Sequence, residues 1–191
     1  MFSKVIVKLL GGYNGLRMKY FKTKSLKSIF KIILKLYQHA HGAYLPFDTN
    51  IAGPIQFIHG AYGIFLSRYA EIGKNCIIYH HVTIGSNALY GSNGLGAPKI
   101  GDNCLIGAGA KIIGNVKIGN NCRIGANCVV TTDVPDNSIV VLPKPVIIER
   151  AEIINKNYSR SNKGWGYSLD GVFVLETDEL IIKNLNSHLN K

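Results

Sequence analysis

Six histidines are the side chains of this 191-residue chain best suited to proton transfer: His39, His41, His59, His80, His81 and His188. Imidazole gains and loses a proton near neutral pH, so a histidine can act as a general base toward a hydroxyl group. His59 stands beside Gly60, which leaves space for a substrate, and His80 and His81 could also line a cleft. The other three lie in polar surroundings, where we expect solvated side chains.

Four cysteines could bind zinc or form disulfides: Cys76, Cys104, Cys122 and Cys128. None of them belongs to a Cys-x-x-Cys pair, the spacing that is typical of zinc sites. In a protein predicted to be cytoplasmic, such thiols are most simply small packing groups. We therefore expect no metal site and no structural disulfide.

A six-residue repeat positions most of these side chains. An aliphatic residue starts each of nine repeats: Ile72, Ile78, Ile84, Ile100, Ile106, Ile112, Ile118, Ile124 and Val130. A period of six fits neither an amphipathic helix nor an alternating strand, but it is typical of short strands that turn a corner every six residues. The sequence therefore predicts an all-β core that forms a parallel β-helix of hexapeptide repeats.

The corners of this β-helix are predicted at asparagines. Five repeats carry asparagine in their fourth place: Asn75, Asn103, Asn115, Asn121 and Asn127. Asparagine tolerates the left-handed backbone conformation better than most residues do. If three repeats form one triangular coil, residues that are 18 apart, such as Cys104 and Cys122, stack on the same face.

The repeat is interrupted once. Ile84 and Ile100 are 16 residues apart, so an excursion over residues 87–97 must leave the prism. Excursions from a rigid scaffold commonly cover binding sites. The alternative is a surface insertion without a function.

Four stretches resemble the hexapeptide-repeat acetyltransferases, and specifically their serine acetyltransferase-like branch: residues 59–64, 82–85, 97–102 and 106–119. The resemblance covers residues 48–148. It implies a left-handed parallel β-helix, usually a homotrimer, that transfers acetyl from acetyl-CoA to an acceptor hydroxyl. The active sites of such a trimer lie between neighbouring subunits.

The same resemblance implies roles for individual residues. It makes His59 the catalytic base, with His81 as the second candidate, and Asp48 the acceptor that would hold the His59 ring in one tautomer. For acetyl-CoA it implies four residues: Gly85, Ala108, Ala126 and Lys144. Ala108 and Ala126 are 18 apart and would stack along an extended pantetheine arm, while Lys144 would serve the nucleotide phosphates.

The acceptor is where the sequence departs from the family pattern. Serine acetyltransferases place an aspartate before the catalytic histidine and an Arg-His pair further on, whereas this chain has Ile58, Gly96 and Ala97 there. We therefore expect a neutral acceptor, such as a sugar of a cell-surface polysaccharide or its precursor, ahead of L-serine. Four residues are expected to bind it: Tyr62, Asn87, Tyr90 and Asn93. A non-enzymatic trimeric scaffold is the remaining alternative.

The net charge of +11 belongs mainly to an N-terminal segment, because nine basic residues precede Asp48, the first acidic one. Within it, Leu26, Ile29, Phe30, Ile33, Leu36 and Tyr37 recur at helical spacing among lysines. Such an amphipathic basic helix either packs on the core or contacts an anionic membrane, and nucleic acid is less favoured. The predicted parts are 1–47 (basic and helical), 48–148 (β-helix) and 149–191 (C-terminal extension).

The sequence shows no run of about 18 apolar residues and no signal-peptide pattern. These observations predict a cytoplasmic protein, with peripheral membrane contact through the basic segment as an alternative.

Overall fold

The computed structural model describes residues 2–152 and 156–189, which form two compact units. The first unit, residues 1–144, contains three helices and a three-sided prism of short parallel strands. The second unit begins at Pro145 and contains a small antiparallel sheet and one helix. Among the described residues, no helix is long and apolar enough to cross a membrane.

The helices of the first unit are α1 (Phe2–Leu9), α2 (Gly12–Lys22) and α3 (Lys27–His41). The strands of the prism are β1 (Asn50–Ile51), β2 (Gln56–Phe57), β3 (Phe65–Leu66), β4 (Glu71–Ile72), β5 (Ile77–Ile78), β6 (Thr83–Gly85), β7 (Lys99–Ile100), β8 (Leu105–Ile106), β9 (Lys111–Ile113), β10 (Lys117–Ile118), β11 (Arg123–Ile124), β12 (Val129–Val130) and β13 (Ile139–Val140). The second unit has β14 (Tyr158–Ser161), β15 (Gly164–Leu169), β16 (Val172–Leu175) and α4 (Glu179–Leu189).

From β1 to β12, every third strand belongs to the same face of the prism, and β13 joins the face of β11. The three faces have the strand orders β1-β4-β7-β10, β2-β5-β8-β11-β13 and β3-β6-β9-β12, and all pairings within them are parallel. The repeat-starting aliphatic residues stack in register, as Ile78, Ile106 and Ile124 do, and all three are fully buried. The predicted parallel β-helix is therefore confirmed.

The corners depend on left-handed backbone. Asn75, Asn103, Asn121 and Asn127 have φ angles of 56–57°, as predicted. The side chains of Asn75, Asn103 and Asn121 form a ladder in which Asn75 donates to Asn103, and Asn103 to Asn121, each over 3.2 Å. The prediction was wrong for Asn115, because the preceding Gly114 takes the left-handed conformation with a φ of 86°.

The four cysteines are buried inside the prism as free thiols. The Sγ atoms of Cys104 and Cys122 each donate to a carbonyl oxygen of the next coil, over 3.1 Å in both cases. These contacts confirm their prediction as packing groups.

Helix α2 covers the open end of the first coil. The side-chain amide of Asn14 donates to the Ile55 carbonyl over 2.7 Å and accepts from the Ile55 amide over 3.1 Å. Arg17 donates to the carbonyls of Phe47 and Thr49 over 3.1 and 2.8 Å. An unpaired strand end needs such partners, so α2 provides the cap that a solenoid requires.

Helix α3 packs on the core with part of the predicted apolar face. Its buried residues are Phe30, Leu34, Tyr37 and His41. Ile29 and Leu36 of the predicted face are exposed, because they lie roughly a quarter turn around the helix from the buried stripe. His41 was expected to be solvated, yet it is buried and its Nδ1 lies 2.8 Å from the Tyr37 carbonyl oxygen.

The neighbouring valines of β12 give a matched test of the inward packing. Val130 is 4% exposed and Val129 is 65% exposed. We expect Val130→Ala to lower the free energy of unfolding by about 2 kcal/mol, because it removes buried methyl groups and leaves a cavity. Val129→Ala should cost less than about 0.5 kcal/mol. Equal losses in urea unfolding would contradict the assigned faces.

Candidate active site

The chain widens the prism at the turn that carries His59. Strands start every six residues from β3 to β6, but β2 and β3 start nine apart, at Gln56 and Phe65. The extra residues lie in the turn between Ile58 and Ile64, where Gly60 and Gly63 have φ angles of 76° and 60°. The turn therefore projects the exposed His59 from the corner.

Strand register brings His59 beside His80. Strand β2 pairs with β5, with Phe57 opposite Ile78, so two residues further on His59 lies opposite His80. The Nδ1 atoms of the two rings are 3.0 Å apart, and the ring of Tyr79 lies edge-on to His59 with centroids 5.4 Å apart. If His59 donates its Nδ1 proton to His80, its Nε2 keeps the lone pair that a general base needs.

His81 occupies a left-handed corner next to this pair. Its φ is 57°, and its ring centroid is 5.4 Å from that of His80. The ring packs against Gly63, where an added Cβ would come within 2.2 Å of the imidazole Nδ1. The Lys111 ammonium donates to the carbonyl of His81 over 2.7 Å and thereby fixes the corner.

Asp48 does not contact His59 in the described chain. Its carboxylate lies 3.8 Å from the guanidinium of Arg68, and both side chains are more than half exposed. Asp48 precedes β1, on the first face, whereas His59 follows β2, on the second. The ring partner of His59 is His80, a residue that sequence reasoning placed only in a cleft.

The four polar residues expected to bind the acceptor do not form one cluster: Tyr62 lies in the turn of His59, and the other three lie in the excursion. The Tyr62 hydroxyl accepts a hydrogen bond from Lys4, and its ring centroid lies 4.6 Å from that of His41. The Asn87 amide is used inside the excursion, where it bonds Ser92 and the backbone of Leu89. Tyr90 and Asn93 are exposed on that excursion, which Asn87 and Gly96 close with two backbone hydrogen bonds.

A shallow groove of about 400 Å³ runs along the second face and reaches His59 through Tyr79, which lines it. Ala108 and Ala126 both line the groove and stack as predicted, with the Asn127 amide donating to the Ala108 carbonyl over 2.8 Å. Gly107 must be glycine, because an added Cβ would lie 2.7 Å from the Ala126 nitrogen. The groove can therefore admit an extended chain close to the backbone.

Two of the four residues expected to bind acetyl-CoA lie outside this groove. Gly85 belongs to β6 on the third face and lines a separate hollow of about 480 Å³. Lys144 is exposed in an extended segment beyond β13. Arg123, which sequence reasoning missed, lines the groove and brings a positive charge to it. Arg123 pairs with Leu105, 18 residues earlier, so the repeat itself could have placed Arg123 on the second face.

No group of three or more histidine, cysteine, aspartate or glutamate side chains in the described ranges 2–152 and 156–189 could hold a metal ion.

Comparison with known proteins gives a consistent result. Residues 97–132 match the family profile described as bacterial transferase hexapeptide (six repeats). The chain is 44% identical over 98 residues to a serine acetyltransferase of Mycobacterium tuberculosis, which covers 51% of this chain and 42% of the relative. It is also 39% identical over 107 residues to a serine acetyltransferase of Staphylococcus xylosus, with 56% and 49% covered.

The solved structures that match are also serine acetyltransferases. Isoform 3 from Entamoeba histolytica, in complex with cysteine, aligns with a TM-score of 0.57 and 30% identity over 72% of this chain and 48% of that one. The Neisseria gonorrhoeae enzyme gives a TM-score of 0.54 and 32% identity over 70% and 50%. The chain spans about half the length of these relatives. Its prism is a left-handed parallel β-helix, and the chain is similar to hexapeptide-repeat transferases and to serine acetyltransferases.

Proposed function

We propose that the chain is an acetyl-CoA-dependent O-acetyltransferase. One observation carries the proposal: Tyr79 contacts the ring of His59, which pairs with His80, and also lines the groove of Ala108 and Ala126. A base and a site for an extended thioester substrate then lie together, and the similarity to serine acetyltransferases supports the same reaction.

The residues suggest how the transfer proceeds. Acetyl-CoA supplies an activated acetyl group, and the stacked alanines would hold its extended arm while Arg123 meets a phosphate. His59 Nε2 takes the proton of the acceptor hydroxyl as its oxygen bonds to the acetyl carbon. The protonated His59 then gives that proton to the sulfur as the carbon–sulfur bond breaks. The products are the acetyl ester and CoA, and His59 returns to its neutral form.

His80 is the positioning residue in this proposal. Its Nδ1, 3.0 Å from His59 Nδ1, accepts a hydrogen bond from the Nδ1–H group of His59 and thereby fixes the His59 tautomer. A histidine here takes the role that the family pattern gave to Asp48. Asp48 is held by Arg68 in the described chain.

The proposed assembly is a homotrimer with active sites between subunits. The exposed apolar residues Phe65 and Ile139 lie on two different faces of the prism, and packing against neighbouring prisms would bury them. The hollow beside Gly85, on the third face, could then meet the second-face groove of a neighbouring subunit. Lys144 would serve the nucleotide phosphates there.

For the acceptor, we propose L-serine first, because the relatives are serine acetyltransferases. The comparisons give no support to the predicted sugar of a cell-surface polysaccharide. One observation keeps a neutral hydroxyl compound as the second candidate: Ile58 beside His59 is exposed and apolar, and Gly96 and Ala97 carry no charge. An acceptor with two charges would lack side-chain partners at these positions.

The first prediction about the proposed activity concerns His59. His59→Ala should lower kcat by about 100- to 10,000-fold, because proton removal from the hydroxyl is lost. CoA binding, measured by thermal shift, should be unchanged, and His188→Ala is the matched control on the exposed helix α4. Retained activity in His59→Ala, together with its loss in His81→Ala, would transfer the role of base to His81. Failure of the wild-type chain to bind CoA would favour the scaffold.

The second prediction concerns His80. His80→Ala should lower kcat at least about tenfold with little change in the KM for acetyl-CoA, because the His59 ring loses its tautomer partner. His80→Asn keeps an acceptor oxygen near the place of Nδ1 and should recover most of that loss. If the alanine and asparagine variants lose the same activity, His80 does not position His59 through this hydrogen bond.

The third prediction concerns the acceptor. We expect CoA release with L-serine. The amide of N-acetyl-L-serine, which lacks both charges of serine, should have a kcat/KM within about tenfold of that for L-serine, because Ile58, Gly96 and Ala97 offer no ionic partner. Nucleotide sugars and oligosaccharides tested in the same assay probe the second candidate. If a sugar is used at least about tenfold more efficiently than serine, the sugar replaces serine as the proposed acceptor.

A further inference from the structure

The N-terminal helices leave an apolar groove open to solvent. The groove, of about 880 Å³, lies between the end of α1, helix α2 and residues 51–54 of the first coil. Leu9, Met18 and Phe21 line it, although their side chains are 81%, 53% and 52% exposed. Lys19 and Lys22 line it as well, so the groove combines aliphatic and aromatic surface with positive charge.

Helix α3 presents a second exposed apolar stripe. Ile29, Ile32 and Leu36 follow one another at helical spacing and are each more than half exposed. They are separate from Phe30, Leu34 and Tyr37, which pack into the core. The stripe is therefore not needed to attach the helix to the prism. Grouped exposed apolar side chains of this size mark interaction surfaces.

The charge around these side chains has one sign. Seven lysines of this region are exposed: Lys8, Lys19, Lys22, Lys24, Lys27, Lys31 and Lys35. No acidic residue precedes Asp48, which already pairs with Arg68. Arg17 is engaged by backbone carbonyls and Lys4 by Tyr62, so the exposed lysines are the part of the charge that faces solvent.

We propose that this helical surface docks on the anionic surface of a lipid bilayer. We define the surface by Leu9, Met18, Phe21, Ile29, Ile32 and Leu36 together with the seven exposed lysines. The apolar side chains would enter the boundary between headgroups and acyl chains, and the lysines would meet the lipid phosphates. Helices of 8, 11 and 15 residues suit such an interfacial position.

Two other occupants fit the surface less well. A second copy of the chain would bring seven like charges against seven others, without an acidic residue from either helical segment to balance them. A nucleic acid would match the charge but offers little to isoleucine, leucine and phenylalanine, which gain most from an apolar environment. A bilayer with anionic headgroups satisfies both components.

The surface belongs to helices that touch the candidate active site. Lys4 of α1 donates to the hydroxyl of Tyr62, and His41 of α3 packs on its ring. Tyr62 lies in the same turn as His59. Docking would therefore hold the candidate site close to the membrane surface, where an acceptor attached to lipid could reach it. The docking itself does not depend on the proposed transferase activity.

The test is sedimentation of the full-length protein with vesicles. We expect binding to vesicles of phosphatidylcholine mixed with phosphatidylglycerol, and at least about tenfold weaker binding to phosphatidylcholine alone. Raising the salt from about 0.1 M to about 0.5 M should weaken the binding to anionic vesicles, because the charges are then screened. Equal binding to both kinds of vesicle, or no binding to either, would overturn the proposal.

Matched variants separate the two components. Leu9→Ser/Met18→Ser/Phe21→Ser should weaken the vesicle binding, and Lys19→Gln/Lys22→Gln/Lys24→Gln, which removes three of the seven charges, should weaken both the binding and its salt dependence. Leu180→Ser on α4 and Lys117→Gln/Lys163→Gln/Lys183→Gln are controls that alter equally exposed residues elsewhere. Circular dichroism of every variant confirms folding.

Three further results would also overturn the proposal. The first is undiminished vesicle binding by both triple variants of the helical surface. The second is a change of assembly state in the serine variant, seen by sedimentation velocity without vesicles, since it would identify a second copy as the occupant. The third is binding to a DNA oligonucleotide that exceeds binding to anionic vesicles.

Discussion

The structure depends on one packing constraint: strands of two or three residues can be stable only if the next coil accepts their hydrogen bonds and buries their aliphatic side chains. Ile78, Ile106 and Ile124 satisfy both requirements at once, because they stack in register and are fully buried. The left-handed asparagines turn the chain without breaking this register. The first coil has no earlier coil, and the amide of Asn14 supplies the missing donor and acceptor instead.

The same register places the chemistry. His59 meets His80 because β2 and β5 are neighbours, and Ala108 stacks on Ala126 because β8 and β11 are. None of these side chains is positioned by a long loop or by a buried polar network. The exposed His59 turn is held by Gly60 and Gly63, whose left-handed conformations allow three extra residues at the corner. A rigid repeat thus carries an enlarged corner, and the enlarged corner carries the candidate base.

The sequence predicted the features that repeat and missed those that do not. The hexads predicted the three faces, the buried cysteines and the stacked alanines, because a local period determines which residues face inward. The pairing of His59 with His80 was not predicted, because the first coil steps 21 residues, from Gln56 to Ile77, whereas a regular coil such as Leu105 to Arg123 steps 18. The sequence predicted the apolar face of α3 but not which part of it is buried, because an apolar residue has the same pattern whether it packs on protein or faces solvent, as Phe30 and Ile29 show. The use of the Asn87 amide inside its own loop leaves no periodic signal.

This division explains where a hexapeptide-repeat protein can diverge in function. A substitution at Ile106 or Ile124 disturbs the stacked core, so the repeat must be retained whatever the acceptor is. Ile58 and Ala97 lie at the two interruptions of the repeat, the enlarged corner and the excursion, where a new side chain need not fit a neighbouring coil. The N-terminal helices are constrained where they pack on the prism, through residues such as Asn14, Arg17 and Tyr37, and their exposed faces carry no such constraint. In the proposed transferase, acceptor choice and docking can therefore change while the candidate base and the groove stay in register.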